Sequence, residues 1–276
     1  MTVQKTSWMA IAIASLLLLS FVKSRKPKIG AKLIEENLAK VTDSLFVGKF
    51  EVTNKEFREF VDSLNSSKPG TGDTYKSDSS KWFNHPNAAF IARTYFSHPS
   101  YNDYPVVAVS HEGAEAYCAW LTKQYSSYKK RKFQRVLFRL PTELEWMEAA
   151  YAKHYNYKYP WGNYLTRKTG ESMAMFRIIR DTRITFDTIS KEYKVVLTQQ
   201  EIDNWDDIPA PVNTFWPSEL GIFHQSGNVA EMVKEKGIAK GGSFNDPGFD
   251  IQITSTKKYN QPSNEIGFRI AMEILP

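Results

Sequence analysis

The 276-residue chain carries few side chains suited to redox, metal or nucleophilic chemistry, and their positions narrow the options. Its one cysteine, Cys118, allows no intramolecular disulfide, no cysteine-based zinc site and no dithiol couple. The five histidines are His85, His98, His111, His154 and His224, and no two stand at the i, i+4 spacing with which one helix face grips a metal. His85 and His98 each precede a proline, His111 follows a serine that reads as a helix cap, and His224 precedes a glycine-asparagine turn. Asp206-Asp207 is the one adjacent acidic pair between residues 41 and 276, and neighbouring side chains point apart, so it makes a poor acid–base dyad. Three glycine-centred turns near the end carry more information: Gly227-Asn228-Val229-Ala230-Glu231, Lys240-Gly241-Gly242-Ser243 and Ile266-Gly267-Phe268-Arg269. The second lacks the spacing and the Lys-Ser/Thr of a phosphate loop, and reads as a close approach of two backbones. Arg269, after Gly267-Phe268, is long and charged enough to bridge buried carboxylates or carbonyls.

These residues need a scaffold, and the periodicity supplies one. Phe46 to Val52 alternates like a strand, then Thr53 and Glu56 form a capping box. Phe57, Phe60, Val61 and Leu64 follow at helical spacing. Residues 65–104 are rich in Ser, Asn, Asp, Pro and Gly and read as long ordered loops with isolated aromatics. Pro105 to Val109 reads as a buried strand, and Ser110 caps a helix whose inner face is Ala114, Tyr117, Cys118 and Leu121. Thr142 and Glu145 form a second capping box before Trp146, Ala149 and Ala150. Residues 163–205 are polar and irregular, with a strand candidate near 195–197.

The net charge of +6 belongs to the N-terminus: Lys5, Lys23, Arg25, Lys26, Lys28 and Lys32 account for it, with no acid before residue 33. The remainder is neutral, which argues against a nucleic-acid surface. Trp8 to Val22 is apolar apart from serines; as a helix it would cover roughly 22 Å, short of a hydrocarbon core of about 30 Å. It reads as the core of an export signal or an uncleaved membrane anchor. The expected organisation is a signal peptide or anchor over 1–24, a basic linker over 25–40, and a single domain over 41–276.

Several phrases, taken in order, resemble the formylglycine-generating enzyme (sulfatase-modifying factor) family. They are Gly48-Lys49-Phe50-Glu51-Val52-Thr53-Asn54, Pro105-Val106-Val107, Arg139-Leu140-Pro141-Thr142-Glu143 with Glu145-Trp146, and Tyr159-Pro160-Trp161-Gly162-Asn163, followed by the three C-terminal turns. The resemblance covers most of residues 41–275. It implies an α+β domain related to C-type lectins and low in regular secondary structure.

In the enzymes of that family two cysteines after the Gly-Gly-Ser bind copper and oxidise a substrate cysteine to formylglycine. Counted along the same register, those positions fall near Asp246 and Ile251 here, and soft copper(I) needs sulfur, so no copper is expected. The resemblance also implies a calcium site at Gly227, Asn228, Val229 and Glu231, built from carbonyls and a carboxylate, although Ala230 and Met232 replace the family's tryptophans. The resulting expectation is a non-catalytic binding or scaffold protein of the cell envelope, exported or membrane-anchored, with other envelope or membrane proteins as partners. It is similar in this to domains of Bacteroidetes gliding-motility lipoproteins, without their lipid-attachment cysteine. Partner contacts are expected at loop aromatics, Trp82, Phe83, Tyr95, Tyr101, Tyr104 and Trp205, and along 244–260. Two other readings stay open: a metal-dependent oxidoreductase with non-cysteine ligands, and a calcium-dependent glycan-binding module.

Overall fold

The computed structural model describes residues 30–82, 87–179, 183–196 and 208–276. The expectations placed on the N-terminal segment, and on Phe83, His85, Trp205 and Asp206-Asp207, lie outside these residues. The fold begins earlier than residue 41: α1 (Ala31–Glu36) and β1 (Leu38–Lys40) bury Ala31, Ile34, Leu38 and Ala39. The stretch 31–40 is therefore part of the domain rather than linker, because its apolar residues have a core to enter. β1 pairs antiparallel with β2 (Leu45–Gly48), and the chain then crosses to α2 (Asn54–Ser67).

The α2 start follows the predicted capping box: Glu56 N donates to Thr53 Oγ1 at 3.2 Å, and Thr53 N donates to Glu56 Oε2 at 2.8 Å. Phe57, Phe60 and Val61 are buried, as helical spacing requires. The loop region beyond contains short 3-10 turns and an α-helix not expected from sequence, α3 (Ala88–Thr94). Pro105 to Val109 is buried but is not a strand. Val106 N donates to Val52 O at 2.8 Å and Ala108 N to Ser263 O at 2.9 Å, and Ala108 turns into the left-handed region at φ 57°. Its partners come from two different places, so no ladder can form.

α4 (His111–Ser127), capped by Ser110, packs Tyr117 against Phe57 and Phe268, with ring centroids 5.9 and 5.6 Å apart. β3 (Val136–Arg139) leads into α5 (Glu143–Tyr151), whose capping box of Thr142 and Glu145 forms as expected. Arg139 clamps that box: its Nη1 and Nη2 donate to Glu145 at 2.6 and 2.7 Å, holding the carboxyl down at a pKa of about 2.

The described residues form three sheets. The first has the antiparallel order β1-β2-β10-β3, with β10 (Ala271–Ile274) between β2 and β3. The second is a hairpin of β4 (Ile184–Asp187) and β5 (Glu192–Val195). The third has the order β8-β7-β6-β9, built from β6 (Ala230–Met232), β7 (Ile238–Lys240), β8 (Thr256–Lys258) and β9 (Ile266–Phe268). Its β6–β9 pair is parallel, which brings the first and third glycine turns side by side. The fold is α+β, with much of the chain in ordered loops. Among the described residues no helix is long and apolar enough to cross a membrane.

Candidate functional site

The turn at 224–231 is held by the loops around it. Gly227 sits at φ 79°, and a Cβ there would lie 2.2 Å from Met175 O, so only glycine fits. Asn228, fully buried, donates from Nδ2 to Glu51 Oε1 at 2.8 Å, and its Oδ1 accepts from Ala210 N at 2.7 Å. Its backbone N–H and carbonyl bind Met175 O and Phe244 N at 2.7 and 2.8 Å. Asn228 thus joins four chain segments through one residue. Val229 is buried in the aromatic cluster described below.

Glu231 lies on β6 with no exposed surface. Arg269 donates to both its oxygens, from Nε and Nη2, and Trp146 Nε1 adds a bond to Oε2 at 2.7 Å. Arg269 also donates to Gly48 O at 2.9 Å and Phe223 O at 2.8 Å. The sequence reading of Arg269 as a structural bridge therefore holds. A calcium ion at this turn would need the Glu231 carboxylate for itself, and a guanidinium already occupies it. The four residues are brought together, but their donor set does not fit the ion. Among the described residues no group of three His, Cys, Asp or Glu side chains could hold a metal.

Burial raises the pKa of nearby Glu51 to about 8, against the pull of Arg269 and with the help of Glu231, so it is neutral at pH 7. Burial, and then Arg269, lowers that of His224 to about 3. The centre is one charge pair surrounded by neutral partners.

The second region starts at Gly241-Gly242-Ser243. Gly242 takes φ 63°, and a Cβ on it would meet Asp250 O and Ile251 Cγ2, each at 2.8 Å. This is the close backbone approach the sequence suggested. Asp246, in the register of the first family cysteine, accepts from Ser243 N and Oγ at 2.8 Å each. Lys257 Nζ on β8 donates to Asp246 Oδ1 and Oδ2 at 2.9 and 2.8 Å and also pairs with Glu265. Asn245 Nδ2 donates to the other Glu265 oxygen at 2.7 Å. Burial alone would strip the charge from Lys257, and Asp246 and Glu265 outweigh it, so the amine stays protonated and is no general base for Ser243. Ile251, in the second cysteine register, is fully buried against Tyr159 and Ala174. At the two positions singled out from the sequence stand an ion pair and an aliphatic side chain, neither of which offers the sulfur that copper(I) prefers. Cys118 is buried on α4, where burial pushes its thiol pKa up and away from the thiolate.

Beside this loop opens a cleft of about 550 Å³. One wall is the loop, with Asn245, Pro247, Phe249 and Asp250; the other is the β4–β5 hairpin, with Tyr193 and Val195, and Arg177 also lines it. The hairpin register places Phe186 opposite Tyr193 and Ile184 opposite Val195 on one face, with Thr185, Lys194, Asp187 and Glu192 on the other. Tyr193 reaches Phe249 with ring centroids 5.6 Å apart, yet stays 58% exposed. Ile178, Phe186, Ile189 and Val196 are exposed as well. The Asp250 carboxylate has no hydrogen bond or ion pair among the described residues, and burial together with Asp246 raises its pKa to about 6.

The loop aromatics expected to meet a partner behave otherwise. Trp82 and Tyr95 are each 1% exposed and form a cluster with Ile91, Val107 and Val229. Tyr95 Oη donates to Pro105 O at 2.8 Å. Tyr101 and Tyr104 are half-buried and pack on the same cluster. Rings of that size are worth most inside, and here they fill the space between loops that lack regular structure. Sequence reading named the 244–260 stretch but missed Lys257, Glu265 and the hairpin as one site, because only long-range contacts in the fold bring them together.

Known proteins resemble this chain along most of its length. A formylglycine-generating enzyme of Thermomonospora curvata is 33% identical over 129 residues, which is 47% of this chain and 32% of that protein, so the match spans about a third of that relative. The inactive C-alpha-formylglycine-generating enzyme 2 of Bos taurus is 32% identical over 80% of this chain and 75% of its own. The crystal structure of CarF superposes with a TM-score of 0.52 at 18% identity, covering 84% of this chain and 87% of the other. The sulfatase-modifying factor enzyme 1-like domain matches residues 30–274, and the chain belongs to that family.

Proposed function

We propose that this protein is a non-catalytic binding or scaffold module of the cell envelope, a subunit of a larger assembly that meets its partner at the 245–250 cleft and the β4–β5 hairpin. One observation supports this above all. Asp246, Lys257 and Glu265 form a satisfied ion cluster, and Ile251 a packed core residue, in the register where the oxidising members of the family need thiolates. The similarity to an inactive family member agrees with it. The exposed apolar face of the hairpin offers what a binding surface requires, contiguous apolar area next to polar groups. The basic, apolar N-terminal sequence supports export or anchoring, and hence partners among envelope or membrane proteins.

Two measurements test the reading. The purified full chain, supplied with copper and oxygen, is expected to leave a cysteine-containing peptide unoxidised; aldehyde formation with turnover would overturn the proposal. Mild-detergent purification from the native envelope is expected to yield a complex of fixed composition, which Tyr193→Ala weakens. Stoichiometric iron or copper in the purified protein would favour an oxidoreductase with other ligands instead.

A further inference from the structure

Given the reading of the 245–250 cleft as the partner site, on which this rests, we infer that the cleft takes an extended polypeptide strand, which adds to the free edge of β5 as a third strand of the hairpin. The ladder fixes which backbone groups are free. Val196 N donates to Arg183 O at 2.9 Å, and the β4–β5 register then makes Thr185–Lys194 and Asp187–Glu192 the other hydrogen-bonded pairs. In the pairs Ile184–Val195 and Phe186–Tyr193 the N–H and C=O groups point away from the facing strand. On β5 these are the groups of Tyr193 and Val195. Neither residue makes a backbone hydrogen bond to any other element among the described residues.

The cleft runs along that edge. Tyr193, Val195 and Val196 line it, and no residue of β4 does. Tyr193 and Val195 point to one face of the hairpin and Val196, one residue on, to the other, so the cleft borders the strand rather than covering a face. Opposite, Pro247 and Phe249 form an apolar wall, and Tyr193 reaches the Phe249 ring with centroids 5.6 Å apart. Other sheet margins are guarded. Phe138 N on β3 donates to Thr122 Oγ1 of α4 at 2.9 Å, and β8 ends its sheet with Lys257 and Lys258. β5 has no such cover, and its outward groups lie between apolar side chains, an arrangement that accepts a strand. Donors and acceptors at strand spacing match a polypeptide backbone, which a glycan does not reproduce. Charge adds a preference. Asp250 is the one acidic residue in the described lining, without a side-chain partner and mostly ionised at pH 7, whereas Arg177, the one basic residue there, is already engaged. A lysine or arginine on the incoming strand completes the Asp250 carboxylate.

Amide NMR of the full chain at pH 7 with acetyl-Thr-Val-Lys-Val-Thr-amide, titrated to about 5 mM, tests this. Resonances of the Tyr193 and Val195 amides should move, while those of Ile184 and Phe186 stay fixed. Glutamate in place of the peptide's lysine should weaken binding at least threefold, and Asp250→Asn should remove that preference. A strand bonds its neighbour through alternate residues. N-methylation of one edge of the peptide, either at both valines or at the lysine and threonines, should therefore abolish binding while the other form still binds. Val195→Pro removes an outward N–H and spares the inner ladder, so it should weaken the peptide at least tenfold with unchanged thermal unfolding. Equal binding of both N-methylated peptides, shifts on β4 instead of β5, or no shift would each overturn the inference. So would a self-associating chain whose Tyr193 and Val195 amides are protected without peptide, since a second copy would then hold the edge. The native complex separates the two claims. Its loss with Tyr193→Ala but not with Val195→Pro overturns strand addition alone, whereas a complex left intact by Tyr193→Ala overturns the partner site as well.

Discussion

The turn at 224–231 and the loop at 243–251 are neighbours in the family's layout but opposite in physical character. The first is dry and closed: Glu231 and Arg269 are fully buried, and Asn228 has its amide bonded on both sides. The second carries a partly exposed ion cluster, a carboxylate without a hydrogen-bond partner among the described residues, and a hairpin whose apolar face remains in water. The difference separates what holds the fold from what can bind. The second place can change in sequence while the architecture stays, because the stabilising contacts sit at the first.

Substitutions sharpen that contrast. The largest effect is expected from Arg269→Met, which leaves Glu231 buried without its partner at a cost of about 3–5 kcal/mol, read by urea unfolding. A loss below about 1 kcal/mol would mean that the centre is less closed than its geometry says. Next comes Glu51→Gln, visible as pH dependence. A folded pKa of about 8 lies above the ordinary 4.5, so the folded state binds this proton more tightly. The contribution to stability is complete below about 4.5 and is lost as pH rises toward 8. Glu51→Gln should remove that decline, a difference of a few kcal/mol, since each tenfold gain in proton affinity on folding is worth about 1.4 kcal/mol. Equal slopes of stability against pH in both proteins would refute it.

Gly242→Ala is expected to cost about 1–3 kcal/mol, since the left-handed backbone and the contact with Asp250 O both oppose a side chain. A smaller change would place the loop further from Asp250 than described. Smallest of all should be Tyr193→Ala, within about 0.5 kcal/mol by thermal unfolding, because the ring is mostly in solvent. The same variant should lose partner capture, so a stable variant that still captures would clear the hairpin of a binding role.

Local chemistry was legible in the sequence. Both capping boxes, the buried face of α2 and the inner face of α4 follow from spacing and residue type, and the bridging use of Arg269 from its place in a family motif. Long-range pairing was not. Nothing in the spacing of Asp246, Lys257 and Glu265 says that they meet; the path of the 243–251 loop and of the chain between β8 and β9 decides it. Aromatics at polar loop positions misled for a related reason. Polarity of neighbours suggests exposure, but Trp82 and Tyr95 turn inward because loops without ladders need large side chains to fill the space between them. Calcium failed at the level of competition: the turn is present, and Arg269, at a distance in sequence, takes the carboxylate first.

The position of β10 has a further consequence. The strand lies inside the first sheet, between β2 and β3, and Arg269, just before it, supplies the counter-charge that Glu231 requires. Until residues 266–274 have left the ribosome, β2 and β3 have no neighbour to join them and a carboxylate destined for the interior has no cation. Folding of this domain therefore starts late and depends on contacts between its two ends, a topology expected to fold slowly. A domain closed by its last strand is one whose stability is lost as a whole when that strand is removed.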